Sequence, residues 1–141
     1  MCANQGLEEN GFGRRILEGR YADVFLQRRA PLPGYAVAIW KHGHVAEPMD
    51  LDPDAANGYW AELLTAARVI RCHYEPAKLN FETLGNTVPH LHTHILPRYL
   101  DDPAPGRPLP WDMISSADAR PESAFVADVA ALRDLLGATD Q

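Results

Sequence analysis

At 141 residues, with 46% hydrophobic and 23% charged residues, the chain has the size and balance of one globular domain. A formal net charge of −6 argues against broad electrostatic affinity for a nucleic-acid backbone. It leaves room for a small anion held by backbone N–H groups or a local cluster of donors. Cys2 and Cys72 fit neither a disulfide framework nor a zinc-ribbon spacing. They read as free thiols, Cys72 partly buried on a helix, in a reducing compartment. No apolar run approaches the ~20 residues of a membrane span. The first ten residues carry acidic groups and no apolar signal region. The expectation is a cytoplasmic protein with no membrane and no nucleic-acid partner.

Residues 1–13, with Gly6, Gly11 and Gly13, read as a loose arm. Arg14–Glu18 and Tyr21–Gln27, separated by Gly19, have strand character, and Tyr35–Lys41 is a third strand entered through the turn Pro31-Leu-Pro-Gly34. A helix follows, with Asp52 as N-cap, Pro53 at the first position and Asp54 near the positive end. Ala56, Trp60, Leu63, Ala67, Ile70 and Tyr74 form its apolar stripe, and Glu75-Pro76 ends it. Two more strands are expected at Lys78–Leu84 and Val88–Tyr99, joined at Gly85-Asn86. The segment Asp101–Trp111 holds four prolines and reads as an extended loop. A final helix starts near Pro121, with Phe125, Val129, Leu132 and Leu136 on one face and Gly137 as a cap. The order β-β-β-α-β-β-α predicts an α+β fold, a mostly antiparallel sheet packed with a long central helix and a C-terminal helix. Residues 14–100 form its core, and 101–141 belong to the same domain.

The informative segment is Asn86-Thr-Val-Pro-His90-Leu-His92-Thr-His94-Ile-Leu-Pro-Arg98. On a strand, side chains two residues apart share a face and stand about 6.6 Å apart. His90, His92 and His94 would then face a ligand or water, while Leu91, Thr93 and Ile95 point the other way, the apolar ones into the core. Three chemistries compete for this pattern. It could be a polar face that happens to carry histidines. It could be a metal site, with Glu82, Asp101 or Asp102 adding ligands to His-x-His. Or it could be a nucleophilic site without a metal, since a neutral imidazole attacks phosphorus well near pH 7 and its neighbours supply hydrogen bonds and protons.

His90-Leu-His92-Thr-His94-Ile-Leu96, with Gly85-Asn86 before it and Pro97-Arg98 after it, resembles the histidine-triad (HIT) signature His-φ-His-φ-His-φ-φ, φ being apolar. Thr93 is the one polar φ position. The likeness runs from about Ile16 to Arg98. It implies a HIT-like α+β domain that dimerises and acts on nucleotides at the α-phosphate, with dinucleoside polyphosphates or nucleoside phosphoramidates as substrates. No cofactor is required; magnesium would enter only on the substrate polyphosphate. His92 takes the nucleophile's place, His90 orients it, and His94 contacts phosphate or the bridging oxygen. Asn86 occupies the position of an amide that binds phosphate or the leaving group, and Asn80 is a second candidate. Gln27 falls at a ribose-binding position and Phe25 lines the base pocket or simply packs. Tyr35 stands where relatives carry a supporting histidine. Arg98 pairs with phosphate or plays a structural part. His42 and His44 read as surface residues near the pocket, and His73 as a solvated or packing residue. The resemblance also admits a nucleotidyltransferase or phosphorylase, or a nucleotide-binding regulator. Metal analysis separates these from a metal-dependent hydrolase.

Overall fold

The computed structural model describes residues 7–139. Three strands, β1 (Gly13–Glu18), β2 (Ala22–Gln27) and β3 (Ala36–Trp40), run up and down. They are followed by the long helix α1 (Pro53–Tyr74), then β4 (Lys78–Glu82), β5 (His92–Arg98), a short helix α2 (Trp111–Ser115) and α3 (Glu122–Thr139). The sheet is antiparallel throughout, in the order β1-β2-β3-β5-β4. The expected α+β architecture and order of elements are present. Cys2 lies outside the described residues.

Strand alternation gives the sheet two buried faces. Ala22, Val24, Leu26, Ala36, Ala38, Trp40, Leu91 and Ile95 pack with α1 and α3 into the main core. On the opposite face Phe25, Tyr35, Val37, Ile39 and Leu96 pack against Ala104, Leu109 and Ile114. The proline-rich segment and α2 therefore lie over part of that second face. What they leave open is where the histidines stand.

Helix α1 begins as its sequence requires: the Asp52 carboxylate accepts from the Ala55 N–H and Pro53 sits at the first position. It ends with Glu75 in the left-handed region, immediately before Pro76. Its buried face is turned by about one residue from the expected stripe. Ala55, Tyr59, Leu63, Ala66, Ala67, Val69 and Ile70 are buried, whereas Trp60 is 36% exposed. Leu63, Ala67 and Ile70 of the expected stripe stay buried, and a polar contact that hydrophobic periodicity cannot register also holds the helix on the sheet. The Glu62 carboxylate accepts from the backbone N–H groups of Arg20, Tyr21 and Ala22, and pins the β1–β2 turn onto the helix. Gly58 lies where the Tyr21 ring leaves no room for a Cβ.

Three further expectations are corrected. Cys72 is exposed, not partly buried. Gly137 lies inside α3 and does not cap it. The strand expected over Val88–Tyr99 is only His92–Arg98, because Pro89 has no N–H for a ladder and the Leu91 N–H turns aside to the Val45 carbonyl. His90 is thus off the strand.

Candidate active site

Pairing across the sheet decides which side chains meet. His92 is opposite Ile39 and His94 opposite Val37 on β3, and His94 is opposite Glu82 on β4. Both histidines share the second face with Val37 and Ile39. Together with Gln27, Tyr35, Asn86, Val88 and Trp111 they line a cavity of about 520 Å³. The size suits a small organic ligand. No Asp, Glu, Lys or Arg is among the described residues that line it.

The His92 Nδ1 is 2.6 Å from the carbonyl oxygen of His90. A carbonyl only accepts, so Nδ1 carries a proton, and in the neutral ring Nε2 is left with its lone pair. His94 stands beside it, ring centroids 5.0 Å apart and nearly perpendicular. The Nδ1 of His94 is 2.7 Å from the Tyr35 hydroxyl. Burial, and then the neighbouring His92, push the His94 pKa down to about 4, so this ring is neutral near pH 7.

The side chain of His90 departs from the expected face. It is 2% exposed, it does not line the cavity, and its Nε2–H donates to the Trp40 carbonyl at 2.8 Å. Burial lowers its pKa. Its link to His92 runs through its backbone carbonyl. Thr93, the polar residue in the apolar register, is fully buried; the Tyr59 hydroxyl donates to its Oγ1 at 2.9 Å, and the Thr83 hydroxyl shares a hydrogen bond with it at 2.8 Å. A hydroxyl is therefore tolerated under the site because it is satisfied.

Asn86 follows Gly85, whose φ of 79° is left-handed, and both line the cavity with Thr87 and Val88. Gln27 is at the wall, its side-chain amide donating to the Phe25 carbonyl at 3.2 Å. The structure does not bring Phe25 or Asn80 to the cavity. Phe25 is 1% exposed and packs with Leu96, Leu109 and Ile114 beneath it. Asn80 lines a different depression and accepts from Arg98 at 2.6 Å.

Arg98 cannot offer a phosphate its guanidinium without breaking other bonds. Its Nε and Nη2 grip the Asp102 carboxylate, and its remaining donors serve Asn80 and the carbonyls of Ala104 and Arg107. It anchors the proline-rich segment to the end of β5. His73 is bonded to Asp128, and neither His42 nor His44 lines the cavity. No group of three or more His, Cys, Asp or Glu side chains among the described residues is placed to hold a metal ion.

Sequence reasoning missed three contributors. Asn10 and Phe12, in the supposed loose arm, line the cavity, held by an Asx turn in which Asn10 accepts from the Phe12 and Gly13 N–H groups. Trp111, at the end of the proline-rich loop, stands edge-on to His94 with ring centroids 6.1 Å apart. The four prolines were a signal of an ordered extended segment, but not of what it covers.

An imidazole whose Nδ1 is bonded to a carbonyl, a neighbouring neutral histidine and a ligand-sized cavity on one face of an antiparallel sheet define a class of site. The HIT domain model matches residues 13–101, and the chain belongs to the HIT family. A bis(5'-adenosyl)-triphosphatase of Saccharomyces cerevisiae is 28% identical over 87 residues, 58% of this chain and 42% of that protein. The protein named Hit of Bacillus subtilis is 30% identical over 90 residues, 60% of this chain and 61% of that one. The chain thus matches less than two thirds of the length of either relative. Among solved structures, a histidine triad protein of Bradyrhizobium japonicum superimposes with a TM-score of 0.79 at 26% identity, covering 88% of this chain and 90% of that one. A HIT protein of Sinorhizobium meliloti gives a TM-score of 0.80 at 21% identity over 95% and 98%, which shows the shared fold. No helix among the described residues is long and apolar enough to cross a membrane.

Proposed function

We infer that the chain is a nucleotide hydrolase acting at the α-phosphate through a nucleotidyl-histidine intermediate. The observation that carries this is the bond from His92 Nδ1 to the His90 carbonyl, which leaves Nε2 as the basic nitrogen of a cavity-lining ring. The Nε2 lone pair attacks phosphorus, and the bond to the leaving group breaks. An amine leaving group departs with a proton from solvent. Water then attacks the phosphoramidate on His92, and nucleoside monophosphate and the free imidazole are released. His94 and Asn86, on the same wall, hydrogen-bond the phosphoryl oxygens or the leaving group. Gln27, which lines the cavity, makes a polar contact to the sugar. The protein works as a homodimer inside the cell, by analogy with the fold family.

The substrate classes are dinucleoside polyphosphates and nucleoside phosphoramidates. The relative named for bis(5'-adenosyl) triphosphate supports the first. The cavity lining favours the second, because it has no cationic side chain among the described residues to offset several phosphates. A polyphosphate would bring its charge compensation with it, as magnesium. The test is a panel of nucleotides with the leaving group varied, assayed for monophosphate release with and without a chelator. Turnover of phosphoramidates should survive the chelator. Release of monophosphate from no member of the panel would contradict the hydrolase reading, and transfer to added phosphate instead of water would favour a phosphorylase.

A further inference from the structure

Tyr35 lines the cavity and has no part in the proposed reaction. It follows the Pro33-Gly34 turn, where Gly34 has φ 84° and the Tyr74 ring lies 2.7 Å from where a Cβ would stand. That turn sets the phenol at the start of β3, on the cavity face, with the Tyr35 and His94 rings stacked at 5.9 Å and 21°. The residue is 5% exposed. Among the described residues, the acceptor within hydrogen-bonding distance of its hydroxyl is His94 Nδ1, at 2.7 Å.

We propose that the Tyr35 hydroxyl is a positioning group that donates its proton to His94 Nδ1, and so holds His94 in the tautomer protonated on Nε2. The alternative has Nδ1–H donating to the phenol oxygen. It would leave a buried hydroxyl proton with no acceptor among the described residues, and would leave Nε2 a bare lone pair, which repels any phosphoryl oxygen that approaches it. Burial, and then Glu82, push the Tyr35 pKa up, so the phenol keeps its proton across the working range and stays a donor.

The two ring histidines of the site then have opposite tautomers. His92 is protonated on Nδ1 by virtue of the His90 carbonyl, and presents a lone pair. His94 is protonated on Nε2 by virtue of Tyr35, and presents a donor. The same wall offers a nucleophile and an N–H for the oxygen that gains charge, with neither ring needing to be cationic. The consequence for rate rests on the hydrolase reading; the tautomer itself does not.

Long-range ¹⁵N–¹H correlation spectra of uniformly labelled protein read the tautomer directly, with His94 assigned by its loss in His94→Gln. The expected result is a pyridine-like Nδ1 and a pyrrole-like Nε2 in the unmutated protein. In Tyr35→Phe, which keeps the stacked ring, the His94 signals should move toward a mixture of tautomers. With adenosine 5′-phosphoramidate as probe, Tyr35→Phe should lower kcat about tenfold, the worth of one buried hydrogen bond, with a smaller change in KM. A pyrrole-like Nδ1 on His94 in the unmutated protein would overturn the proposal, whether or not the probe is turned over. So would a Tyr35→Phe protein with unchanged His94 signals. If Tyr35→Phe fails to fold, the spectrum of the unmutated protein decides. Absence of turnover in the unmutated protein, with the predicted spectrum, would count against the hydrolase reading and leave the positioning role supported.

Discussion

The His92 ring donates from Nδ1 to the backbone carbonyl of His90 at 2.6 Å, while the His90 side chain turns away to the Trp40 carbonyl. The bond that orients His92 is therefore independent of what side chain residue 90 carries. His90→Ala should keep the tautomer of His92 and retain much more turnover than His92→Ala. Its larger cost should be in stability, about 1–3 kcal/mol, because the buried Trp40 carbonyl loses its donor. Parallel measurement of kcat and thermal midpoint separates the two effects. A well-folded His90→Ala protein as inactive as His92→Ala would show that the imidazole, not the carbonyl, does the orienting.

His94 gives the stability a definite pH dependence. In the unfolded chain a histidine titrates near 6.5; in the folded protein burial and His92 hold this one at about 4. Between those values the unfolded state binds the extra proton. The stability associated with the neutral ring is therefore complete above about pH 6.5 and is lost as the pH falls toward 4. The loss is on the order of 3 kcal/mol for His94, and His90 adds to it in the same direction. Urea midpoints measured across this window should fall with pH, and should fall less steeply in His94→Gln. Identical slopes in the two proteins would contradict the assignment.

The Arg98–Asp102 pair ties the proline-rich segment to β5, with Asp102 also accepting from the Ala104 N–H at 2.7 Å. Both side chains are largely buried, at 11% and 2% exposure. Asp102→Ala removes the carboxylate that Arg98 grips with two donors and that the Ala104 N–H also uses, and should cost about 1–3 kcal/mol. Because the same segment carries Trp111 to the edge of His94, nucleotide affinity should weaken as well. A denaturant titration and a binding isotherm check the two parts; a loss below about 0.5 kcal/mol would place the pair with ordinary surface ion pairs.

Much of this was legible from local rules. The Asp52-Pro53 start of α1, its Glu75-Pro76 end and the alternation of β5 follow from capping, proline sterics and strand periodicity. The triad identified the family because three histidines at spacing two have few other uses. What was not legible came from contacts between distant segments. Glu62 reaches the β1–β2 turn, and Tyr59, not Trp60, enters the core, where its hydroxyl finds Ala38 and Thr93. Asn80 and Phe25 sit near the site in sequence register, yet one is claimed by Arg98 and the other by a second core that the proline-rich segment completes. Asn10, Phe12 and Trp111 enter the cavity from parts of the chain with no periodic signal at all.

Assembly makes a separate prediction. Tyr59 is fully buried, its hydroxyl hydrogen-bonded to Ala38 and Thr93, and offers no surface to a partner. Trp60 remains partly exposed, and β4 is an edge strand that carries Phe81, 41% exposed. A homodimer should be found by multi-angle light scattering at micromolar concentration. A monomer under those conditions would contradict it.

The covalent step is the centre of the account, and rapid-quench labelling tests it most directly. The protein is mixed with a nucleotide substrate labelled at the α-phosphate and stopped within a turnover. Label should appear on the protein, labile to acid and stable to base, as a phosphoramidate on imidazole requires. His92→Ala should show no such label, with turnover lower by orders of magnitude and nucleotide affinity little changed, because the residue makes its bond in the transition state and adds little to ground-state binding. Undiminished label and the same products from His92→Ala would contradict the account, and would place the nucleophile elsewhere.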